Sequence, residues 1–551
     1  MKYRSGFTLI ELLAVILILG VVALIAIPVV NNLIKQAKKE SAILTALNYI
    51  EAVEEMIMKN QLLDDVYLSV GSHDISELTN SLDIKGKKPT KGMLNIGNDN
   101  LVTNAILCIN NYKVDYTDGK GKIYNNTNCN DMNSSVYGFD ETKGVNKPVL
   151  ASGMTPVKWD SSNNEISTVT SDPNWYDYSN KKWANAKSAD GSYWVWIPRY
   201  AYKITSGYHT NSVGTIDIKF LKGTTNIAND ITKIENNGYE VGVKDTSNNY
   251  FVHPSFDFNG NILGYWVAKY EPTAVEGVLN GYMADGTCPE TGDNVSSKTV
   301  KIIPNAISWR CIDIKNSFDA ILNMKNNPAY GWNSNEVDTH MMKNTEWGAV
   351  AYLTQSKYGA STELWINNAN NYQTGCAANS VSQGGSTTGC LNAYNTLNGV
   401  KASTTFNITG VYDLSGGAIE RTMSNYNNSS ATSGFTNSYI TNLSIKYIDK
   451  YTTPTSNLLN NIGMDYDNSV YGDAVFETSG SIARYNGTTW IGNTSASWYN
   501  DSSYMPFTSA TWFLRGGNYS NGTNAGIYTF SSTFGGIHNS YSFRPVLYIS
   551  L

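Results

Sequence analysis

The sequence predicts an α+β protein: a long N-terminal helix, a small α+β head and a large irregular second domain. Three observations carry this. An almost unbroken apolar run, Phe7 to Val30, flows straight into the helix-forming stretch Asn31–Met56. Residues 60–135 then read as short strands around turn signals. From Val149 to Leu551 many short strands are separated by Asn, Gly, Ser and Asp turns, with few helical stretches. Hydrophobic residues make up 41%, which excludes wholesale disorder. Forty Lys+Arg against 46 Asp+Glu give a net charge of −6, which argues against a nucleic-acid partner. Charged residues reach only 16%, against about 25% in ordinary domains, while Tyr alone numbers 37. A polar, uncharged and Tyr-rich surface suits extracellular recognition.

The helix comes first. Lys2 and Arg4 form a short basic start, and the run that follows is long enough to span a bilayer. Its one charge is Glu11, which is costly there and needs a partner. A secretory signal would end in a small-residue cleavage site, and none follows. Beyond the run, Ile43, Leu47, Ile50, Val53 and Ile57 recur every three or four residues, an amphipathic stripe. One helix over residues 7–59 is predicted, with 7–30 as its transmembrane or filament-core part.

Gly6-Phe7-Thr8-Leu9-Ile10-Glu11 resembles the prepilin signal of the type IV pilin family. The resemblance implies cleavage after Gly6, so that 1–6 is a leader, and methylation of the new terminal Phe7. It implies that Glu11 faces the N-terminal amine of a neighbouring subunit, two opposite charges neutralising each other in an apolar bundle. It places Pro28 where the family often distorts the helix. The implied partners are other pilin subunits, a prepilin peptidase/methylase, and the inner or cytoplasmic membrane before assembly. The implied location is the bacterial cell surface or an extracellular pilus. An uncleaved anchor with an incidental Glu11 is the alternative.

Residues 60–135 have the size and position of a pilin head. Ser69–Leu82 has a helix-like start, and Ile106–Asn126 reads as two strands around the Asp118-Gly119 turn. Polar and Gly residues with Lys147-Pro148 mark 136–150 as a linker. Helices are expected at 315–326 and 344–356. Cys108, Cys129, Cys288, Cys311, Cys376 and Cys390 form three sequence-near pairs without C-x-x-C spacing, so a metal motif is absent from the sequence. An exported chain with an even count favours disulfides, many pairings being formally open and nearest neighbours preferred. Free buried thiols are the alternative.

The large domain carries a second resemblance. Met154–Asp160 (MTPVKWD), Trp194–Tyr202 (WVWIPRYAY), Gly264–Pro272 (GYWVAKYEP), Asn344–Gly359 (NTEWGAVAYLTQSKYG), Asn407–Glu420 (NITGVYDLSGGAIE), Phe513–Ser520 (FLRGGNYS) and Ser542–Leu547 (SFRPVL) occur in the order found in formylglycine-generating-enzyme-like proteins. Over residues 151–551 this implies a C-type-lectin-like fold of that subtype. Members that oxidise cysteine need a reactive Cys pair near the C-terminus, and no Cys follows Cys390. The chain is therefore read as no enzyme. His73, His209, His253, His340 and His538 lack metal spacing, and Glu271, Glu346 and Glu420 are read as structural partners. No cofactor is expected. Asp465, Asp467 and Asn468 give a faint calcium signal without the Gly and distal Glu of a true loop.

The last forty residues are the most informative. Between Arg515-Gly516-Gly517 and Phe543-Arg544-Pro545, small polar residues alternate with Tyr, Phe, Ile and His. Residues 512–547 resemble the variable region of proteins diversified by retroelements that mutate adenines. The implied variable, ligand-binding positions are Tyr519, Ser520, Ile527, Tyr528, Thr529, Ser531, Ser532, Thr533, Phe534, Ile537, His538, Ser540 and Tyr541. Tyr with Ser, Gly and Asn is also the composition of an antibody-like paratope, with Tyr528, Phe534 and Tyr541 as anchors. The alternative is that these aromatics pack the final strands. The expected function is a minor or tip pilin displaying an adhesive domain for a protein or glycan ligand. A tethered oxidase and an inert structural head are the alternatives.

Overall fold

The computed structural model describes residues 9–62, 71–75, 87–96, 101–117, 119–123, 129, 138–229, 250–256, 262–279, 287–289, 292–385, 389–452 and 471–549. The chain divides into two compact units, Met1–Tyr137 and Gly138–Leu551.

In the first unit, α1 (Leu9–Leu62) is one helix of 54 residues, roughly 80 Å at 1.5 Å per residue. Ala42, Ala46, Tyr49, Ile50, Val53 and Ile57 bury one face, with Ile43 and Leu47 partly buried beside them. The predicted stripe is therefore right in phase, its centre widened by two alanines. A five-stranded sheet receives this face: β1 (Gly71–Asp74), β2 (Lys91–Ile96), β3 (Val102–Ile109), β4 (Tyr112–Thr117) and β5 (Lys120–Lys122), in that order and antiparallel. Gly121 allows the close approach, since a Cβ there would lie 2.8 Å from Ile43 Cγ2. Two expectations are corrected. Gly71–Asp74 is strand rather than helix start, paired with Met93–Ile96. The expected hairpin has a second turn at Asn110-Asn111, both in the left-handed region (φ 51° and 67°), the requirement of a tight two-residue turn.

Among the described residues no helix is long and apolar enough to cross a membrane. Of the segment 7–30 expected to span, residues 9–30 belong to α1, but most of their side chains lie outside the described residues, those of Glu11 and Pro28 among them, as do Gly6 and Phe7. The apolar residues that are described there, Leu9, Ile10, Leu13, Leu17, Ile18 and Val30, are all exposed in the single chain.

In the second unit, the expected linker is partly folded structure. Phe139–Asp140 pairs with Val145–Asn146, and buried Asn146 donates to the main-chain oxygens of Gly223 (2.8 Å) and Leu263 (2.9 Å). A seven-stranded antiparallel sheet is built from β6 (Thr155–Trp159), β7 (Glu165–Ser167), β8 (Asn185–Lys187), β9 (Tyr193–Pro198), β10 (Gly264–Ala268), β11 (Val337–Met341) and β17 (Pro545–Ile549). Its order is β11-β17-β10-β9-β8-β6-β7. A second sheet holds β12 (Ile419–Tyr426), β13 (Asp449–Tyr451), β14 (Trp512–Gly516) and β15 (Gly526–Thr533), in the order β13-β12-β14-β15; β16 (Tyr541–Phe543) pairs in parallel with β12. Helices α2 (Ile314–Met324) and α3 (Asn344–Gln355) lie where the sequence places them, and every residue of α3 is buried.

Arg544 sits between β16 and β17, where the chain passes from one sheet to the other. Its guanidinium donates to Glu420 of β12 (Nε to Oε2, 2.8 Å), to Ala268 O of β10 (2.7 Å) and to Tyr412 O (3.0 Å). This buried, fully bonded cation ties the two sheets together; removing one partner would leave an uncompensated charge.

The disulfides are Cys108–Cys129, Cys288–Cys311 and Cys376–Cys390, the nearest-neighbour pairing.

Candidate functional site

The sequence-predicted ligand positions divide by burial. Ile527, Tyr528, Thr529 and Thr533 on β15 are buried. Tyr528 is 0% exposed. Its N–H donates to Asp501 Oδ2 at 2.8 Å, and its ring packs 5.2 Å from Trp498. Its hydroxyl donates to Ala351 O of α3 at 3.4 Å, while Trp347 Nε1 of α3 donates to Ile527 O at 2.7 Å. Tyr528 is thus a core residue and not the expected ligand-facing anchor, because α3 and the turn at Trp498–Asn500 cover this stretch of β15. Ser531 and Ser532 are half-buried, and Phe534, just past the strand, is 53% exposed.

Tyr519, Ile537, His538 and Ser540 lie in the two loops flanking β15, Tyr541 opens β16, and contacts link most of them. His538 stacks on Tyr541 with centroids 3.7 Å apart. Ser540 Oγ shares a hydrogen bond with the Tyr372 hydroxyl (3.0 Å), and Tyr372 meets Tyr519 edge-to-face at 5.0 Å. Ile537 packs over Gly292, whose added Cβ would meet it at 3.0 Å. Ser520 stays within its own turn, its N–H and hydroxyl donating to Asn518 Oδ1 at 2.8 and 2.7 Å.

The loop from Phe534 to Ser540 is held through its carbonyls. Phe534 O accepts from Thr432 N–H (2.9 Å), Gly535 O from Ile314 N–H (3.0 Å) and His538 O from Cys311 N–H (3.0 Å); Ser540 O accepts from Ile419 N–H (2.8 Å). Arg421 donates to Gly536 O, and Arg310 Nη1 donates to Asn539 O at 2.8 Å. Both arginines are buried. The Arg310 guanidinium also lies 3.7 Å from the Tyr372 ring centroid, a cation–π contact. None of these anchors is a loop side chain; within the loop, His538 Nδ1 accepts the Ser540 N–H at 3.1 Å. Burial and the nearby Arg421 cation lower the His538 pKa to about 4, so the ring on this face is neutral at neutral pH.

Arg310, Arg421 and Tyr372 were missed by sequence reasoning. Arg310 had one signal, its place between Trp309 and Cys311, both buried. Tyr372 had none: its φ of +57° is unusual for a bulky residue and visible only in the fold.

The other described titratable candidates sit inside the core, except His209, which is half-buried. His340 is fully buried between Asp338 (Nδ1 to Oδ1, 3.1 Å) and Glu346 (Nε2 to Oε1, 2.8 Å), and those carboxylates raise its pKa against the opposing effect of burial. His253 Nδ1 meets Ser255 Oγ at 3.0 Å, and burial lowers its pKa to about 3. His209 Nδ1 meets Phe476 O at 2.9 Å. Glu271 accepts from Ala418 N–H at 3.0 Å; its pKa is pushed up by burial first and then by Asp413 and Glu420. Asp465, Asp467 and Asn468 lie outside the described residues, as does the side chain of His73.

No curated protein matches the chain. Residues 1–27 match the family described as the prokaryotic N-terminal methylation motif. That motif carries the expected Gly6–Glu11 signal and implies processing by a prepilin peptidase and assembly with other pilins; by this N-terminus the chain is a type IV pilin-like protein.

Proposed function

We propose that this chain is a minor or tip pilin whose second unit is a ligand-binding head of the C-type-lectin-like, formylglycine-generating-enzyme subtype. The head binds a protein or glycan and performs no catalysis. Its binding face is formed by Tyr519, Ile537, His538, Ser540 and Tyr541 with the exposed Phe534. A retroelement that rewrites adenines diversifies these positions. One observation carries the reading: the 534–540 loop is anchored through main-chain oxygens, by donors outside the loop. Such a loop keeps its shape while its side chains change, as a diversified binding surface requires. The chain mass of 60.5 kDa favours a tip or minor position over a repeating subunit. The exposed apolar face of α1 favours assembly through the helix.

The test is capture of glycans and surface proteins by the purified full chain. His538→Ala with Tyr541→Ala abolishes capture of at least one ligand that the parent binds and leaves the thermal unfolding of the head in place. Undiminished capture contradicts the proposal. Sequencing the locus from several isolates tests diversification separately; identical codons at these positions and no nearby near-repeat contradict it.

A further inference from the structure

A separate surface of the second unit carries four aromatic rings that the core does not absorb. Arg484–Tyr485 pairs with Trp490–Ile491 in a short ribbon. Its turn is set by Asn486, whose Oδ1 accepts the N–H groups of Thr488 (2.9 Å) and Thr489 (2.8 Å). The ribbon brings Tyr485 and Trp490 against Tyr504 and Phe507. Ring centroids are 5.5 Å apart for Tyr485–Trp490, 4.6 Å for Tyr485–Phe507, 4.9 Å for Trp490–Tyr504 and 5.6 Å for Trp490–Phe507. Trp490 is 37% exposed and Ile491 46% exposed, while the other three rings are half-buried.

The footing of this cluster is rigid. Ala483 N–H donates to Ser503 O (3.0 Å), Met505 N–H to Ala483 O (2.9 Å) and Tyr504 N–H to Phe530 O (3.0 Å). Ile482, Met505 and Phe530 beneath are buried. The rings are therefore preorganised, and a ligand meeting them loses little to ordering the protein.

Two features define what fits. The first is charge. From Arg484 to Phe507 the only Lys, Arg, Asp or Glu residues are Arg484 and Asp501, and Asp501 is buried. The ribbon and the residues next to it in sequence also carry exposed amides and hydroxyls, among them Asn486, Thr489 and Asn493. The second is size. Four rings of about 150–250 Å² each, none more than about two-fifths exposed, offer under roughly 400 Å². A stable protein interface needs about 800 Å² per partner. A small, neutral, hydroxyl-rich ligand with an apolar face satisfies both limits.

We propose that Tyr485, Trp490, Tyr504 and Phe507 form a platform for a neutral saccharide. A pyranose ring stacks its C–H face on Trp490, and its hydroxyls meet the surrounding amides and hydroxyls. This site is distinct from the loop face that carries the proposed function, and its failure would leave that reading standing.

The full chain, held in a detergent without a sugar headgroup, is titrated calorimetrically with hexasaccharides of glucose and of N-acetylglucosamine. Saturable binding of at least one is expected, weakened at least about tenfold by Trp490→Ala and kept within about threefold by Trp490→Phe. Should Trp490→Ala lower the melting temperature, Thr489→Ala with Asn493→Ala, at exposed rim positions, supplies the second reading and is expected to weaken binding as well. The proposal is overturned by no saturable binding up to about 10 mM, by equal affinity in Trp490→Ala, or by binding that depends on His538 and Tyr541 instead.

Discussion

Arg310 donates from Nη1 to the main-chain oxygen of Asn539 at 2.8 Å while its guanidinium lies 3.7 Å from the centre of the Tyr372 ring. One buried cation thereby fixes both the backbone of the C-terminal loop and an aromatic ring of the adjoining loop. Arg310→Ala removes both contacts and leaves the half-buried Asn539 carbonyl without this donor. A loss of about 2–4 kcal/mol in the unfolding of the second unit is expected in urea, with ligand capture lost even where the unit stays folded. Arg310→Lys restores the charge but not the planar fork, and recovers only part of the loss.

The acidic core predicts a pH dependence of definite sign. Glu477 is fully buried, accepting from the hydroxyls of Tyr352 (2.8 Å) and Tyr202 (3.0 Å) and from Gly472 N–H (2.8 Å). Burial, aided by repulsion from Asp473 and opposed by these hydrogen bonds, raises its pKa to about 7. The unfolded value is about 4.3, so between the two the folded chain holds a proton the unfolded chain has released. That stabilisation is whole below about pH 4.3 and is lost as pH rises through 7. Relative to Glu477→Gln, the parent should lose on the order of 3 kcal/mol between pH 4.5 and 7.5. A stability difference that stays constant across this range contradicts the assignment.

The Cys108–Cys129 bond closes a 21-residue separation in the first unit. Cys108→Ser with Cys129→Ser should cost that unit about 2–4 kcal/mol. The unfolding transition of the second unit should not move. Calorimetry resolving two transitions checks both statements.

At the N-terminus, Gly6→Ala should block cleavage, leaving the leader attached in mass spectrometry of the membrane fraction. Glu11→Val should leave the head folded and cut incorporation into filaments by at least about tenfold, since its proposed partner amine is then unpaired.

Legibility in the sequence followed physical period. The Gly6–Glu11 signal and the apolar run are local and were readable. The stripe on α1 was readable because a helix that packs on one face repeats every three to four residues, and α2 and α3 lie within two residues of the predicted spans. The disulfides followed sequence proximity. The loop face was only half legible. Alternating small and aromatic residues mark both an exposed loop and a strand covered on both sides, and β15 proved to be the second through Ile527 and Tyr528. Arg310 and Tyr372 were out of reach because they meet Asn539 and Ser540 across more than 160 residues of chain. Nothing local marks such a contact.

The central claim is that the loop side chains are independent of the fold. It is tested most directly by measuring unfolding free energy across a library varying Tyr519, Ile537, His538, Ser540 and Tyr541 together, beside a library varying Ile527, Tyr528 and Thr529. The first library should stay largely within about 2 kcal/mol of the parent, whereas Tyr528→Ala alone should cost about 3–5 kcal/mol and the second library should be mostly unfolded. Equal loss of cooperative unfolding in the two libraries would contradict the account.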